Sequence, residues 1–185
     1  MPLLASSNAG FVLNLLWALG LGNNNRILTE GPMMKYGDAG QFASTGGWGL
    51  AQGEPMSHYS QHDLAVLTKE QQDLVERVSK NIYRPCCNNS THFPDCNHGM
   101  AMLGFLELAA SQGASENEMY DAALALNSFW FPNEYAAIRE YIKKYSVNAD
   151  PKTVLGAKYS SAAGYRNILS KIDPPKGASG GSCGV

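Results

Sequence analysis

Between Tyr83 and Met100 the chain reads Tyr-Arg-Pro-Cys-Cys-Asn-Asn-Ser-Thr-His-Phe-Pro-Asp-Cys-Asn-His-Gly-Met, gathering three of its four cysteines and two of its four histidines. Thiolate sulfur and neutral imidazole nitrogen are natural donors for Zn(II), Cu(I) and related soft ions. Cys86, Cys87, Cys96 and His98 therefore form a candidate Cys3His ligand set. The spacing differs from the CxxC pairs of zinc modules, where one tight turn presents two sulfurs. Adjacent Cys86 and Cys87 point differently in an extended chain, and Cys96 and His98 converge only while Asn97 stays outside regular helix. Further donors lie nearby in His92 and Met100, and a fourth sulfur, Cys183, sits almost at the C-terminus. Methionine at positions such as Met33, Met34, Met100 and Met102 serves more often as core filler than as a ligand. There is no CxxCH for covalent haem; non-covalent haem on His98 or Met100 remains open.

The same residues admit two other chemistries. Cys86 or Cys87 could pair with Cys96 and the remaining cysteine with Cys183, and a closed loop of about ten residues would contribute ~2 to 3 kcal/mol. A module stapled in this way would meet a protein partner through the aromatic residues Trp48, Phe129, Trp130 and Phe131. In the third reading, a thiol-disulfide oxidoreductase, Cys96 near a helix N-terminus is favoured as thiolate, His98 is its proton partner and Cys183 a resolving thiol. No CxxC and no third triad member support that reading. Soft-metal binding is preferred among the three.

Outside this segment the chemistry thins. His58 and His62 are four apart, a spacing that puts two imidazoles on one helical face, with Asp63 beside the second; lacking HExxH, they read as a solvated pair. Glu107 is the one charge in an otherwise apolar stretch, so burial must raise its pKa or supply it with a partner. Arg84 beside the cysteines is a partner for Asp95. The sequons at Asn88 and Asn89 are crowded by cysteines and prolines and read as chance.

The elements that must position these residues are helical. Ser6, Ser7 or Asn8 caps a helix with apolar positions Phe11, Val12, Leu15, Leu16 and Leu19, ended by Gly20 or Gly22. From Asn23 to Met56 periodicity is lost in a long glycine-rich loop that wraps the core through Met33, Met34, Tyr36, Phe42, Trp48 and Leu50. Thr68 to Gln71 is a capping box for a helix through Ile82, stopped by Pro85. Asp95, Cys96 or Asn97 caps a central helix to Gln112, apolar nearly all round and so buried, with Gly113 as a left-handed terminator. Ser115 to Glu118 is a second capping box. Pro132 breaks the helix that follows, Glu134 to Tyr145 forms another, Asp150-Pro151 starts a short one, and Ser161 opens the last. The expected fold is an irregular all-α helical bundle in a single domain, residues 1–173, around the buried central helix, with a flexible Gly/Ser-rich tail, residues 174–185, carrying Cys183.

Composition narrows the partners. At 185 residues the chain can bury a core without needing a staple. Charged residues are only 16% and the net charge is -2, so no basic field exists to attract nucleic acid. The longest apolar run, Phe11 to Leu21, is interrupted by Asn14 and is too short for a transmembrane span. The N-terminus lacks the basic residue and small cleavage-site residues of a signal peptide. Polarity carried by Asn, Ser, Gln, Gly and Tyr suits an extracytoplasmic protein, periplasmic or on the cell surface.

Tyr83-Arg84-Pro85-Cys86-Cys87 and Asp95-Cys96-Asn97-His98-Gly99-Met100-Ala101, with Ser44-Thr45-Gly46-Gly47-Trp48 upstream and the terminal Gly-Gly-Ser-Cys-Gly-Val, together resemble an uncharacterised bacterial family of exported or surface-associated proteins. The resemblance covers most of the chain. It implies no reaction, and no site residue is taken from it.

Overall fold

The computed structural model describes residues 5–45 and 51–173. Over these residues the chain is all-α, with helices α1 (Ala9–Gly22), α2 (Arg26–Thr29), α3 (Lys69–Ser79), α4 (Asn97–Ser111), α5 (Glu116–Trp130), α6 (Pro132–Tyr145), α7 (Pro151–Leu155), α8 (Ala157–Ser160) and α9 (Ala162–Leu169). The only β-type pairing among them is an isolated parallel bridge between Asn23 and His62. Trp48, Leu50, Cys183 and the tail lie outside the described residues.

Local signals set most of the helix ends. Thr68 and Ser115 each close a capping box, their hydroxyls accepting from the amides of Gln71 and Glu118 while those side chains return to the cap amides. Asp150 accepts from the Thr153 amide ahead of Pro151, and Gly113 follows α4 with φ at +81°. Pro132 separates α5 from α6 and itself opens α6, two residues before the expected start at Glu134. Helix α3 ends at Ser79 rather than reaching Ile82, which is nevertheless fully buried in the turn that follows.

The centre of the molecule is the crossing of α1 and α4. A Cβ on Gly20 would stand 2.7 Å from the Gly104 amide nitrogen, and one on Gly104 would stand 2.6 Å from that of Gly20. The two backbones therefore touch, and only glycine fits at either position. This contact decides which face of α1 is inside. Leu13, Leu16, Trp17 and Leu21 are buried while Phe11 and Leu15 are 67% and 56% exposed, so the expected stripe through Phe11 and Leu15 is rotated. A helix apolar on every side carries no preferred face in its periodicity; the small residue chooses it.

Around this crossing, α3 and α5 complete a first apolar core containing Val75, Val78, Met100, Leu103, Leu106, Met119 and Ala123. A second core gathers Phe131, Tyr135, Ile138, Val154, Tyr159, Tyr165 and Ile168 from α6 to α9, and Leu124 and Trp130 pack against both. Of the aromatic run at the end of α5, Phe131 is buried while Phe129 and Trp130 are half-buried, the Trp130 indole donating to the Ala9 carbonyl at 3.2 Å. In the N-terminal wrapping segment Met33 is a buried anchor, but Met34 and Tyr36 are exposed. Ile27 and Leu28 of α2 take their place in the core.

Glu107 of α4 is fully buried, and its Oε1 accepts from Asn25 Nδ2 at 2.6 Å. Asn25 Oδ1 accepts in turn from the Ile27 amide and from Gln72 Nε2. Burial pushes the carboxyl well above its ordinary range against the opposing pull of hydrogen bonds from Asn25 and Asn23. The native state thus holds a proton that the unfolded chain has lost, and stability falls as pH rises above the ordinary carboxyl value of about 4.3. Glu107→Gln should remove that fall. Urea unfolding from pH 4 to pH 8 should show the variant gaining on the parent as pH increases; a constant difference would contradict a buried neutral carboxyl.

Candidate metal centre

The corner between α3 and α4 is built around one side chain. Arg84 is fully buried and donates from Nε to Cys96 Sγ at 3.0 Å, from one terminal nitrogen to the Asn89 carbonyl at 3.0 Å, and from the other to Asp95 Oδ1 at 3.0 Å and the Phe93 carbonyl at 3.4 Å. The ion pair with Asp95 expected from the sequence is present. Asn89 Nδ2 donates to the second Asp95 oxygen at 2.7 Å, so both carboxylate oxygens are engaged. Burial works against the guanidinium charge, but the negative potential of Cys96, Cys87 and Cys86 outweighs it and raises the Arg84 pKa.

Gly99 makes room for this arrangement: a Cβ there would lie 2.6 Å from the guanidinium carbon. Cys96 is the N-cap of α4, extended at φ -122° and ψ 162°, and its sulfur accepts from the Gly99 amide at 3.4 Å. Convergence of Cys96 and His98 therefore comes from the extended cap residue, while Asn97 is already helical. The connecting loop is pinned at several points. The Thr91 amide donates to the Ile82 carbonyl, the Ala162 amide to the Cys87 carbonyl, and the Ser44 amide to the Asp95 carbonyl. Phe93 packs edge-on against Phe42 and Tyr36 at centroid distances of 5.4 and 5.5 Å.

Two ligand-sized groups result. Cys86, Cys96 and His98 place one donor atom each within 4.8 Å of one another, and so do Cys87, Asp95 and Cys96. The first is close enough to hold a metal ion. Its two sulfurs are 3.7 Å apart. His98 is 7% exposed, its ring lies against Phe131 at 4.4 Å and Trp130 at 5.9 Å, and its Nδ1 is buried without a hydrogen-bond partner. Cys86 packs against the second core and Cys96 caps the central helix of the first, so the group sits at the seam between the two.

The four ligands expected from the sequence are thus brought to one corner but divided, with Cys96 common to both groups. A hydrogen bond with Cys86 pulls the Cys87 pKa down, yet bonding to Cys96 and burial push it up to about 11. His92 is directed elsewhere: its amide donates to the Ser79 carbonyl, its Nδ1 is 3.4 Å from the Ser79 hydroxyl, and burial lowers its pKa. Met100 is buried in the first core. Asp95 joins a ligand group that the sequence reading confined to sulfur and imidazole. Its position immediately before Cys96 was the available signal. The role of Gly99, three residues beyond the cap, had none.

No family model matches the chain, and neither a curated protein nor a solved structure matches it.

Removing Arg84 leaves Asp95 unpaired in a half-buried site, and Arg84→Ala should cost ~3 kcal/mol or more. Gly99→Ala pushes a methyl group into the guanidinium and should cost ~2 kcal/mol. Because the methyl would occupy space vacated by the arginine, the double variant should be less destabilised than the sum by at least ~1 kcal/mol in urea unfolding. Strict additivity would show that the two residues do not share that space.

Proposed function

We propose that this chain binds one thiophilic metal ion of the zinc(II) or copper(I) class through Cys86, Cys96 and His98. Two Zn–S bonds of about 2.3 Å at the tetrahedral angle set their sulfurs ~3.8 Å apart, against 3.7 Å between Cys86 and Cys96. Sulfurs in simple van der Waals contact have nearly the same spacing. The observation that carries the reading is therefore the third group. A buried, unpartnered imidazole nitrogen at His98 costs ~1 to 3 kcal/mol unless something binds the ring. A cation held in common with two thiolates is the partner that the neighbouring sulfurs favour.

Charge supports one ion rather than two. The second group shares Cys96 and Asp95 with the Arg84 guanidinium, so a permanent cation already stands against those donors and would repel a metal placed there. Arg84 and Asp95 neutralise each other, which leaves two thiolates and a neutral imidazole to balance a divalent ion. Donors to sulfur from Arg84 and the Gly99 amide would orient Cys96 and hold it as thiolate. Cys183 remains a candidate for completing the coordination sphere.

A disulfide between Cys86 and Cys96 is the second reading, favoured by the same contact between sulfurs. A redox-active Cys96 fits less well, because its 4% exposure keeps the sulfur from a substrate.

Cys96→Ser separates the roles cleanly, since serine is a preferred N-cap but a poor soft-metal ligand. Reduced protein titrated with Zn(II) should hold one ion per chain against a tight chromophoric chelator. Cys96→Ser and His98→Gln should weaken binding by more than ~100-fold, beyond the loss typical of an outer-sphere partner, while Cys87→Ser keeps the stoichiometry. Equal losses in all variants, or no ion held against the chelator by the parent, would overturn the assignment.

A further inference from the structure

His58 and His62 are not on a helix, yet they meet. Pro55–Ser57 is a single 3-10 turn and His58 follows it. The chain then reverses at Ser60, a non-glycine residue held at φ +55°, and returns along the end of α1. The Ser60 amide donates to the Leu21 carbonyl at 2.8 Å, the His62 amide to Gly22 at 2.9 Å, and the Asn24 amide to the His62 carbonyl at 2.7 Å. The Asn25 amide donates to the Ser60 hydroxyl at 3.1 Å. With the backbone fixed on both sides of the turn, His58 Nδ1 and His62 Nε2 stand 3.1 Å apart, the rings tilted 33° with centroids 5.3 Å apart.

We propose that His58 and His62 form a second metal site, one that takes a borderline divalent cation of the Ni(II), Cu(II) or Zn(II) class at the protein surface. Two nitrogens on one ion with bonds of about 2.0 to 2.1 Å are separated by ~2.9 Å at a right angle and ~3.4 Å at the tetrahedral angle. The observed spacing lies between these limits, so a small swing of two side chains at the surface converts the nitrogen contact into chelation. Imidazole nitrogen suits this class of ion, whereas softer Cu(I) selects thiolate. The left-handed turn at Ser60 is conformationally costly for a residue with a side chain and is held by the contacts to α1, so the pair is arranged before any ion arrives. The site is independent of the cysteine centre and stands or falls separately from it.

Ni(II), which does not oxidise thiols under these conditions, is the appropriate probe for the full chain. Paramagnetic broadening in imidazole NMR spectra should reach the His58 and His62 rings before those of His92 and His98. In equilibrium dialysis His58→Gln and His62→Gln should each lower affinity about tenfold or more, because the second ligand binds at high effective concentration once the first is engaged. His92→Gln should leave it unchanged. Either histidine lost without a tenfold effect, or broadening that spares both rings, would overturn the site. Circular dichroism on both single variants guards against loss of the fold.

Discussion

A guanidinium removed from water must find partners for its donors and its charge within the protein, and this requirement at Arg84 shapes the whole corner between α3 and α4. Its Nε meets Cys96, its terminal nitrogens meet two loop carbonyls and Asp95, and Gly99 gives way to its plane. Each bond fixes a different part of residues 84–99. The loop from Asn89 to Asp95 is wrapped around the side chain, and Cys96 is left extended at the head of α4, where its sulfur turns toward Cys86 and His98. Lysine could supply the charge, but its point-like ammonium cannot address carbonyl, carboxylate and sulfur at once.

The corner gains a second property from where it lies. The crossing of α1 on α4 through Gly20 and Gly104 makes one core, α6 to α9 make another, and Cys86 and His98 face the seam. The Cys96 and His98 side chains are therefore held among aromatic and aliphatic side chains with little exposure to water, and Cys86 is half-buried beside them. That environment strengthens charge interactions and makes an unoccupied imidazole nitrogen expensive. A metal ion would relieve the cost; a disulfide would remove the thiolate charge and leave the imidazole as it is. Among the described residues no helix is long and apolar enough to cross a membrane, and the apolar faces of α1 and α4 are used against each other.

What the sequence made legible was mostly local. Capping boxes at Thr68 and Ser115, the cap and proline at Asp150-Pro151 and the glycine after α4 act within one turn, so they read directly from neighbouring residues. The lone charge at Glu107 announced a buried carboxyl, but its partner Asn25 is 82 residues away in sequence and no pattern links them. α1 was recognisable as a helix and not as a face, because apolar residues surround it. Ile27 and Leu28 were hidden in a stretch without periodicity, since a four-residue helix capped by Asn25 is too short to show any. At the site itself, residue types identified the cluster and the Arg84–Asp95 pair. Its division into two groups was not legible, because that depends on how a fully buried arginine sits between them. His58 and His62 show the opposite case: the spacing pointed to proximity, but a turn at Ser60 delivers it, not a helical face.

Metal analysis and thiol counting on a single sample of protein purified without chelators bear most directly on the centre at Cys86, Cys96 and His98. Metal binding there predicts one zinc or copper ion per chain that resists dialysis, with Cys86 and Cys96 protected from alkylation until a chelator is added. A chain without stoichiometric metal, whose Cys86 and Cys96 become alkylatable only after reduction, would contradict it and establish the disulfide in its place.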